Sequence, residues 1–273
     1  MSTISTHGIL YPSRTPEGYA LTRLPAPEAL ADYVLRYWVV RWDLGERTFV
    51  QEVLPHPTSN LAIEQRGAAV HGPSARRFVA RLSGAGRVLG VKFRPGGLSA
   101  FTRTKMTELF AKAAPIAGLF GAAGDSLSGR VLEEGDDPTA CGLVGAFLAE
   151  LDPKRDPRAI AASELVERIQ ADRALTRAEQ VARCAGVSLR TLQRLFEKYV
   201  GIGPKWIIRR TRVHDAAERA ARGESVDWAE LSLELGYHDQ AHLIHDFKDQ
   251  IGETPAAYAE ACRRGPRPIR TAI

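Results

Sequence analysis

Three basic side chains recur at four-residue spacing in the C-terminal half of the chain. Arg190, Arg194 and Lys198 follow one another in this way, so on an α-helix they lie along one face. A guanidinium can bridge O6 and N7 of guanine, whereas charges farther from the bases contact phosphate. The stripe therefore predicts a helix that enters the major groove of DNA, with Arg194 as its main base contact. The alternative is a surface arginine paired with Glu197.

The residues around the stripe predict the element that positions it. Leu189 to Val200 forms a helix whose other face is apolar, with Ser188 as its N-cap. Gly186 ends the preceding helix, where a left-handed turn suits glycine. The apolar positions are Leu192, Leu195, Phe196 and Tyr199. The spacing predicts a helix-turn-helix unit.

This unit is written twice. AEQVARCAGVSLRTLQRLFEKYVGIGP is followed by WAELSLELGYHDQAHLIHDFKDQIGETP, and Gly186 matches Gly236 at an offset of 50. Beyond that glycine the offset is 51, and it pairs Leu192 with Leu243, Phe196 with Phe247, Gly201 with Gly252 and Pro204 with Pro255. Two helix-turn-helix units in tandem, about 173–203 and 227–255, are the simplest explanation, with one extra residue in the second turn.

A long helix is predicted between the two units. It begins at Pro204, a favoured first helical residue, and ends near Gly223. At this length it spans about 28 Å, close to the roughly 34 Å of one DNA turn. Such a connector suits two recognition helices in successive major grooves.

The offset also assigns candidate contacts in the second unit. Its His245 occupies the place of Arg194, and an imidazole carries less positive charge than a guanidinium near pH 7. The first unit should therefore dominate affinity, and the second should tune sequence choice. The candidate base contacts are Arg190, Thr191, Arg194, Gln240, His242 and His245. The candidate phosphate contacts are Ser188, Gln193, Lys198, Lys205, Arg209, Arg210 and Lys248.

Charge is unevenly distributed over this half of the chain. Residues 173–212 hold ten Lys or Arg and two acids, whereas residues 224–260 hold nine acids and Lys248 alone. Solvated helix surfaces would explain both blocks. Because the basic block coincides with the first recognition helix, attraction to phosphate is the better explanation for it.

The N-terminal half has the residue pattern of short β-strands. Short runs rich in Val and aromatic residues, separated by Gly, Pro, Ser or Asn, extend from Tyr33 to about Arg94. They predict a small barrel or sandwich, and helices are predicted over Leu98–Phe120 and Thr139–Leu151. The fold class is thus α+β with two domains: a β-rich sensing or dimerisation domain (1–151), a linker (152–158) and an all-α DNA-binding domain (159–273).

A ligand pocket is the functional hypothesis for the β-rich domain. Aromatic side chains inside a barrel could enclose a small apolar ligand, although a closed core is the more common use of such residues. Two histidines, His56 and His71, lack the spacing of a metal site, and no catalytic or nucleotide-binding motif is present. We expect no metal, no cofactor and no enzymatic activity. The candidate pocket residues are Tyr37, Trp38, Trp42, His56 and Phe93, with Phe49 as a further barrel aromatic.

The cysteine content, the N-terminal sequence and the length of the apolar runs indicate where in the cell the protein is expected. Three scattered cysteines give neither a disulfide framework nor a zinc site, and the N-terminus does not resemble a signal peptide. The longest weakly apolar run, residues 113–124, is too short to cross a bilayer. We therefore expect a cytoplasmic, nucleoid-associated protein.

The C-terminal region resembles the DNA-binding domain of the AraC/XylS family of bacterial transcriptional regulators. LGYHDQAHLIHDFKDQIGETPAAY is similar to the family signature, and SLRTLQRLFEKYVGIGPKWIIRRTRVHDAA resembles its first recognition helix and connector. Departures fall on the DNA-facing side, where Ala241 replaces the usual serine, Leu243 a phenylalanine and His245 an arginine. RYWVVRWDL, EVLPHPTSNL and GVKFRPGG resemble an uncharacterised sensor-type domain. The resemblance implies double-stranded DNA as a partner, with an effector, a second copy of the chain and RNA polymerase as further candidates.

Two other function classes stay open at the level of sequence. A DNA-repair alkyl transferase fused to a similar head would need an activated cysteine, and the N-terminal half holds only Cys141. A non-sensing architectural DNA-binding protein would bind without sequence preference and lose affinity uniformly as salt rises.

Overall fold

The N-terminal half of the computed structural model is built on one antiparallel sheet, and the structure describes residues 8–222 and 225–264. Its six strands pair in the order β1-β2-β5-β3-β4-β6. The strands are β1 (Tyr19–Leu24), β2 (Val34–Val53), β3 (Asn60–Glu64), β4 (Gly67–His71), β5 (Phe78–Phe93) and β6 (Ala113–Pro115).

The long pair β2 and β5 forms the centre of the sheet. Val34 lies opposite Phe93 at one end and Val53 opposite Phe78 at the other, with a register shift between Asp43 and Thr48. Such an irregularity bends a strand and increases its twist. No pairing between β1 and β6 is present in the described part of the chain, so the α+β class is confirmed with an open sheet in place of a closed barrel or a two-sheet sandwich.

Helices cover one face of this sheet. They are α1 (Ile116–Glu133), which is interrupted at Gly121 with φ 63°, and α2 (Asp137–Glu150). Alternate strand residues point to this face, and the core between sheet and helices contains Tyr37, Val39, Leu61, Ile63, Leu89, Val91, Phe93, Leu127, Val144 and Leu148.

The opposite face of the sheet carries two tryptophans that lie over glycines. Trp38 is opposite Gly90 and Trp42 is opposite Gly86. A Cβ at Gly90 would come within 2.0 Å of the Trp38 ring, so only glycine admits this ring. The two indoles thus rest on the β5 backbone and stay partly exposed.

The predicted helix over Leu98–Phe120 is mostly wrong. A short 3-10 helix covers Gly97–Ala100, turns follow, and β6 occupies Ala113–Pro115 before α1 begins. The Thr102 hydroxyl accepts a hydrogen bond from the Thr104 amide at 3.1 Å, and such local bonds compete with helix formation. The second predicted helix, Thr139–Leu151, is confirmed by α2, which begins two residues earlier and ends one residue earlier.

The C-terminal half is helical. Its elements are α3 (Pro157–Ala171), α4 (Ala178–Cys184), α5 (Leu189–Tyr199), α6 (Pro204–Ala221), α7 (Trp228–Glu234), α8 (Gln240–Ile251) and α9 (Pro255–Arg263). The predicted linker, 152–158, covers most of the connection between α2 and α3, but its last two residues already belong to α3. Residues 1–7 and 265–273 of the two predicted domains lie outside the described residues. Among the described helices, none combines the length and apolar character needed to cross a membrane.

The two halves contact each other on both helix-turn-helix units. Leu10 and Leu54 join the apolar core of the second unit, and Tyr11 packs on Tyr258 with ring centroids 4.8 Å apart. Near the first unit, Arg94 pairs with Glu167 of α3. The N-terminal half therefore contacts the helical region at both of its ends.

Candidate nucleic-acid interface

The turn between the two helices of each unit has the same backbone geometry in both copies. Gly186 and Gly236 adopt φ of 66° and 73°. In the first copy the Val187 amide donates to the Ala182 carbonyl at 3.0 Å, and in the second the Tyr237 amide donates to the Ser232 carbonyl at 2.9 Å. This left-handed C-terminal motif closes α4 and α7 alike. The sequence repeat is therefore a structural repeat.

The recognition helices α5 and α8 begin at matched caps. Ser188 Oγ accepts from the Thr191 amide at 3.1 Å, and Asp239 Oδ1 accepts from the His242 amide at 2.8 Å. The extra residue of the second copy lies in its turn, ahead of Asp239. The preceding helix α4 starts differently: Arg177 is its N-cap, and the Gln180 side chain accepts from the Arg177 amide.

The inner faces of α5 and α8 hold equivalent aromatic anchors. Phe196 and Phe247, like Leu192 and Leu243, are fully buried. Burial of a phenylalanine removes on the order of 150–250 Å² of surface from water. Packing therefore fixes how each helix rotates about its own axis, and with it the side chains that point outward.

The outward face of α5 carries the predicted stripe. Arg190, Thr191, Gln193, Arg194 and Lys198 are all exposed, as is Ser188. The Ser188 and Thr191 hydroxyls lie 2.9 Å apart, so the cap already engages both of them. Lys198 Nζ lies 4.7 Å from the centroid of the Tyr199 ring. The guanidinium groups of Arg190 and Arg194 project beside these contacts.

The outward face of α8 is less basic. Gln240, His242, His245 and Lys248 are exposed. The His242 ring rests on Tyr237 with centroids 5.2 Å apart, and Asp249 sits next to Lys248 on the exposed surface. With one lysine among these four side chains, this helix attracts phosphate less than α5 does.

The connector α6 corrects two predicted phosphate contacts. Lys205 is exposed, as expected. Arg209 instead makes a bidentate pair with Asp246 of α8 at 2.7 and 3.0 Å. Arg210 is 4 % exposed and donates to the Pro55 carbonyl at 2.8 Å. Arg210 cannot reach DNA here, because the N-terminal half covers it.

Direct contact also fixes the two units relative to each other. Arg212 of α6 donates to the Thr176 carbonyl of the first unit at 2.9 Å and lies 5.1 Å from the Tyr237 ring of the second. A Cβ at Gly236 would come within 2.8 Å of Thr176 Cγ2. The sequence pattern predicted neither these contacts nor the Arg209–Asp246 pair, although it held one signal for the pair. The repeat places Asp246 at the position of the apolar-face Leu195, where an acid needs a partner.

The two turn glycines give a matched pair of stability predictions. Left-handed backbone costs a non-glycine residue about 1–2 kcal/mol. Gly186→Ala should therefore lower the free energy of unfolding by about 1 kcal/mol, because its Cβ would meet open space. Gly236→Ala should cost about 2 kcal/mol or more, because its Cβ also collides with Thr176. Urea denaturation checks the ranking, and Thr176→Ser, which removes the methyl group, should narrow the difference. Equal losses for the two glycines would contradict the contact.

The structure separates the candidate ligand-pocket residues. Tyr37 and Phe93 are buried in the core under the helices. Trp38 and Trp42 lie on the opposite face, and His56 sits beside Arg210, with His56 Nδ1 3.0 Å from Arg210 Nη2. These five side chains do not converge on one cavity.

Trp42 does line an open groove of about 820 Å³, with Tyr19, Arg41, Gly86 and Arg87 among its other walls. Phe49 packs edge-to-face on Tyr19. In the described ranges, no three His, Cys, Asp or Glu side chains are grouped to hold a metal ion.

Two family models match the chain, one in each half. Residues 181–261 match a family described as a helix-turn-helix domain, and residues 22–115 match a domain of unknown function (DUF6597). The helix-turn-helix match is of the AraC type. No curated protein matches the chain.

Solved structures of ToxT from Vibrio cholerae resemble the chain over most of its length. One at 1.65 Å resolution has 10 % identity and a TM-score of 0.41, covering 90 % of this chain and 99 % of that one. ToxT bound to (E)-4-(8-methylnaphthalen-1-yl)but-3-enoic acid has 11 % identity and a TM-score of 0.42, covering 90 % and 100 %. ToxT with an unsaturated fatty acid has 10 % identity and a TM-score of 0.41, covering 93 % and 99 %.

Proposed function

We propose that this chain, a DNA-binding transcriptional regulator whose C-terminal domain is of the AraC helix-turn-helix type, reads its operator with α5 and α8 in successive major grooves. The observation that carries the proposal is the repeated geometry. Two capped helices present exposed polar faces, each after a left-handed glycine turn, and both pack on α6. At 18 residues, α6 is about 27 Å long, against roughly 34 Å for one turn of DNA.

Unequal charge assigns different roles to the two helices. The outward face of α5 presents Arg190, Arg194 and Lys198, whereas α8 presents two imidazoles and one lysine. Cationic side chains supply the salt-dependent part of DNA affinity. The first unit therefore supplies most of the affinity, and the second tunes the choice of sequence through Gln240, His242 and His245.

The N-terminal half acts as the regulatory part in this proposal, through effector binding, dimerisation or both. Its contacts with both units support that role, because a change in the sheet would alter its contacts with α3 and α9. The protein then works in the cytoplasm on the chromosome, as a non-enzymatic regulator that contacts RNA polymerase. Sedimentation velocity of the full chain, with and without operator DNA, tests dimerisation. A monomer under both conditions would leave effector binding as the regulatory route.

Selection of bound genomic fragments by the full-length protein tests the proposal. The expected product is a two-part motif whose halves are about 10 base pairs apart, the spacing of successive major grooves. Recovery of a single half would contradict the use of both helices. Binding without any shared motif, falling uniformly as salt rises, would favour an architectural DNA-binding protein.

The alkyl-transferase alternative requires a reactive thiolate at Cys141. Burial, followed by the nearby charge of Asp137, raises the pKa of this thiol to about 11. Near pH 8 only about one molecule in a thousand would then carry the thiolate, and the thiolate is the nucleophile. The environment of Cys141 is thus that of a packed core residue.

Thiol reactivity at pH 8 tests this directly. In the folded protein we expect one thiol, the exposed Cys184, to react quickly with an aromatic disulfide reagent. Cys141 and Cys262 should react only after urea is added, because both are buried and burial raises both of their pKa values. Cys184→Ser is the control and should abolish the fast phase. A fast thiol that persists in this variant would revive the enzymatic alternative.

A further inference from the structure

A group of buried and partly buried cationic side chains lies where the sheet meets α6. Lys92, near the end of β5, lies opposite Arg36 of β2 on one side and Asn60 of β3 on the other. It is only 8 % exposed. Cross-strand neighbours of this kind are about 5 Å apart at Cβ, so the two cations share one face of the sheet.

The DNA-binding half contributes a third cation at the same place. Arg210 of α6 extends toward the sheet, where Nε donates to the Pro55 carbonyl and Nη2 lies 3.0 Å from His56 Nδ1. A guanidinium can only donate, so Nδ1 is the acceptor and the imidazole proton is on Nε2. A Cβ at Gly8 would come within 3.0 Å of this Nε2 and 3.3 Å of Arg210 Nη2, so the N-terminal segment closes the group from one side.

No carboxylate balances the charge of Lys92 within the described residues. Burial lowers its pKa well below the usual value, and Arg36, Arg210 and Arg23 lower it further. Burial likewise lowers the pKa of His56, with Lys92, Arg210, His214 and Arg36 adding to the effect. Burial lowers the pKa of Arg210 to about 10, against the charges of Asp215 and Glu218. Asp215 pairs with Arg173 at 2.6 Å, and His214 lies near both acids.

An unpaired buried cation is costly, and an opposite charge with hydrogen-bonding oxygens relieves that cost. We propose that Lys92, Arg36 and Arg210 form an oxyanion-binding site at the junction of the two halves, which takes a carboxylate or a phosphate group. Three donors from two directions match the several lone pairs of such a group. Next to Lys92 on the same face, Trp38 over Gly90 offers an apolar surface to any organic part of the ligand.

The site joins the sheet to the helix that holds both helix-turn-helix units. A bound anion bridges β2 and β5 to α6, so it strengthens the docking of the two halves. This role as an effector site rests on the proposed function, whereas anion binding itself does not. Anion binding and DNA binding are therefore measured separately on the same variants.

Thermal unfolding of the full chain tests the site. Chloride is replaced by phosphate, acetate or octanoate at constant pH and ionic strength. The unfolding midpoint should rise in a saturable way with at least one oxyanion, by roughly 5 °C or more at a hundredfold excess over Kd. A larger effect of octanoate than of acetate would assign an organic anion, and a larger effect of phosphate an inorganic one. No saturable rise with any of the three would overturn the proposal.

Matched variants locate the effect. Lys92→Met keeps the length of the side chain without its charge, and it should lose the anion-dependent rise. Lys112→Met, at an exposed lysine of the same half, should keep it. Arg194→Ala should also keep it, which separates this site from phosphate binding on α5. An equal rise in Lys92→Met and the unchanged protein would refute the assignment.

A measurement on the unchanged protein covers the case in which Lys92→Met does not fold. Calorimetric titration in buffers of different ionisation enthalpy should show proton uptake on anion binding, because the anion raises the pKa of Lys92. Binding without proton uptake would contradict a site at these residues. Anion binding that leaves DNA affinity unchanged would keep the site and remove its effector role.

Discussion

Replacing Arg194 by alanine is expected to weaken binding to the selected operator by roughly 5- to 150-fold, or about 1–3 kcal/mol. Arg194 is exposed on α5, between the caps and anchors that fix the helix. Its guanidinium is therefore presented outward without a competing partner among the hydrogen bonds of the described residues. The loss should be largest on the preferred site and should relax the preference at one base pair. Fluorescence anisotropy with operator and mutated-operator duplexes measures both effects.

The DNA affinities of three other variants are compared with that of Arg194→Ala. Lys198→Ala should weaken binding to all sequences alike and reduce the salt slope by about one, as a phosphate contact would. Arg130→Ala, at an exposed arginine of α1, should leave affinity unchanged. His245→Ala should cost less than Arg194→Ala. Equal losses at Arg194 and His245 would refute the unequal division between the two units.

Arg209→Met is expected to lower the free energy of unfolding by about 3 kcal/mol. It leaves the Asp246 carboxylate, only 1 % exposed, without its bidentate guanidinium. Removal of one partner of a buried ion pair costs more than the pair contributes, because the remaining charge stays unpaired in the interior. Urea denaturation measures the loss. Operator affinity should also fall, because this pair docks α8 on α6.

The neighbouring carboxylate supplies the control. Asp249 lies 3.4 Å from the same guanidinium, but its side chain is 62 % exposed. Asp249→Asn should therefore change stability by less than about 1 kcal/mol. Combining Arg209→Met with Asp246→Leu should recover most of the lost stability, because no buried charge remains. If the double variant were as unstable as the sum of the single variants, the pair would not be coupled.

The C-terminal half was largely predictable because the signals for its helices and turns lie within short stretches of sequence and occur in both repeats. The change of offset from 50 to 51 located the turn, and glycine and N-cap residues marked the helix ends. The exposure of Arg190, Arg194 and His245 followed from the apolar positions on the other side of each helix. Such periodicity determines which face is buried without knowledge of the rest of the molecule.

Contacts between distant segments were not predictable in this way. Arg209 and Arg210 sit in the same basic run as Lys205, yet one pairs with Asp246 and the other is covered by Pro55 and His56. The closure of a sheet likewise depends on strand order, which short β-like runs do not encode. Burial imposed by another part of the chain overrides what a helical pattern implies. The base contacts assigned to α5 and α8 stay predictions.

The position of Tyr11 has a consequence for the order in which the protein forms during synthesis. Its amide donates to the Tyr258 hydroxyl across 247 residues of sequence, and Ser13 donates to the Cys262 carbonyl. The segment around Tyr11 thus acquires these partners only after α9 has been synthesised. Contacts of such separation form late and slowly. Chains whose translation stops before α9 would therefore leave Leu10 and Leu54 exposed to solvent and be more readily degraded by proteases.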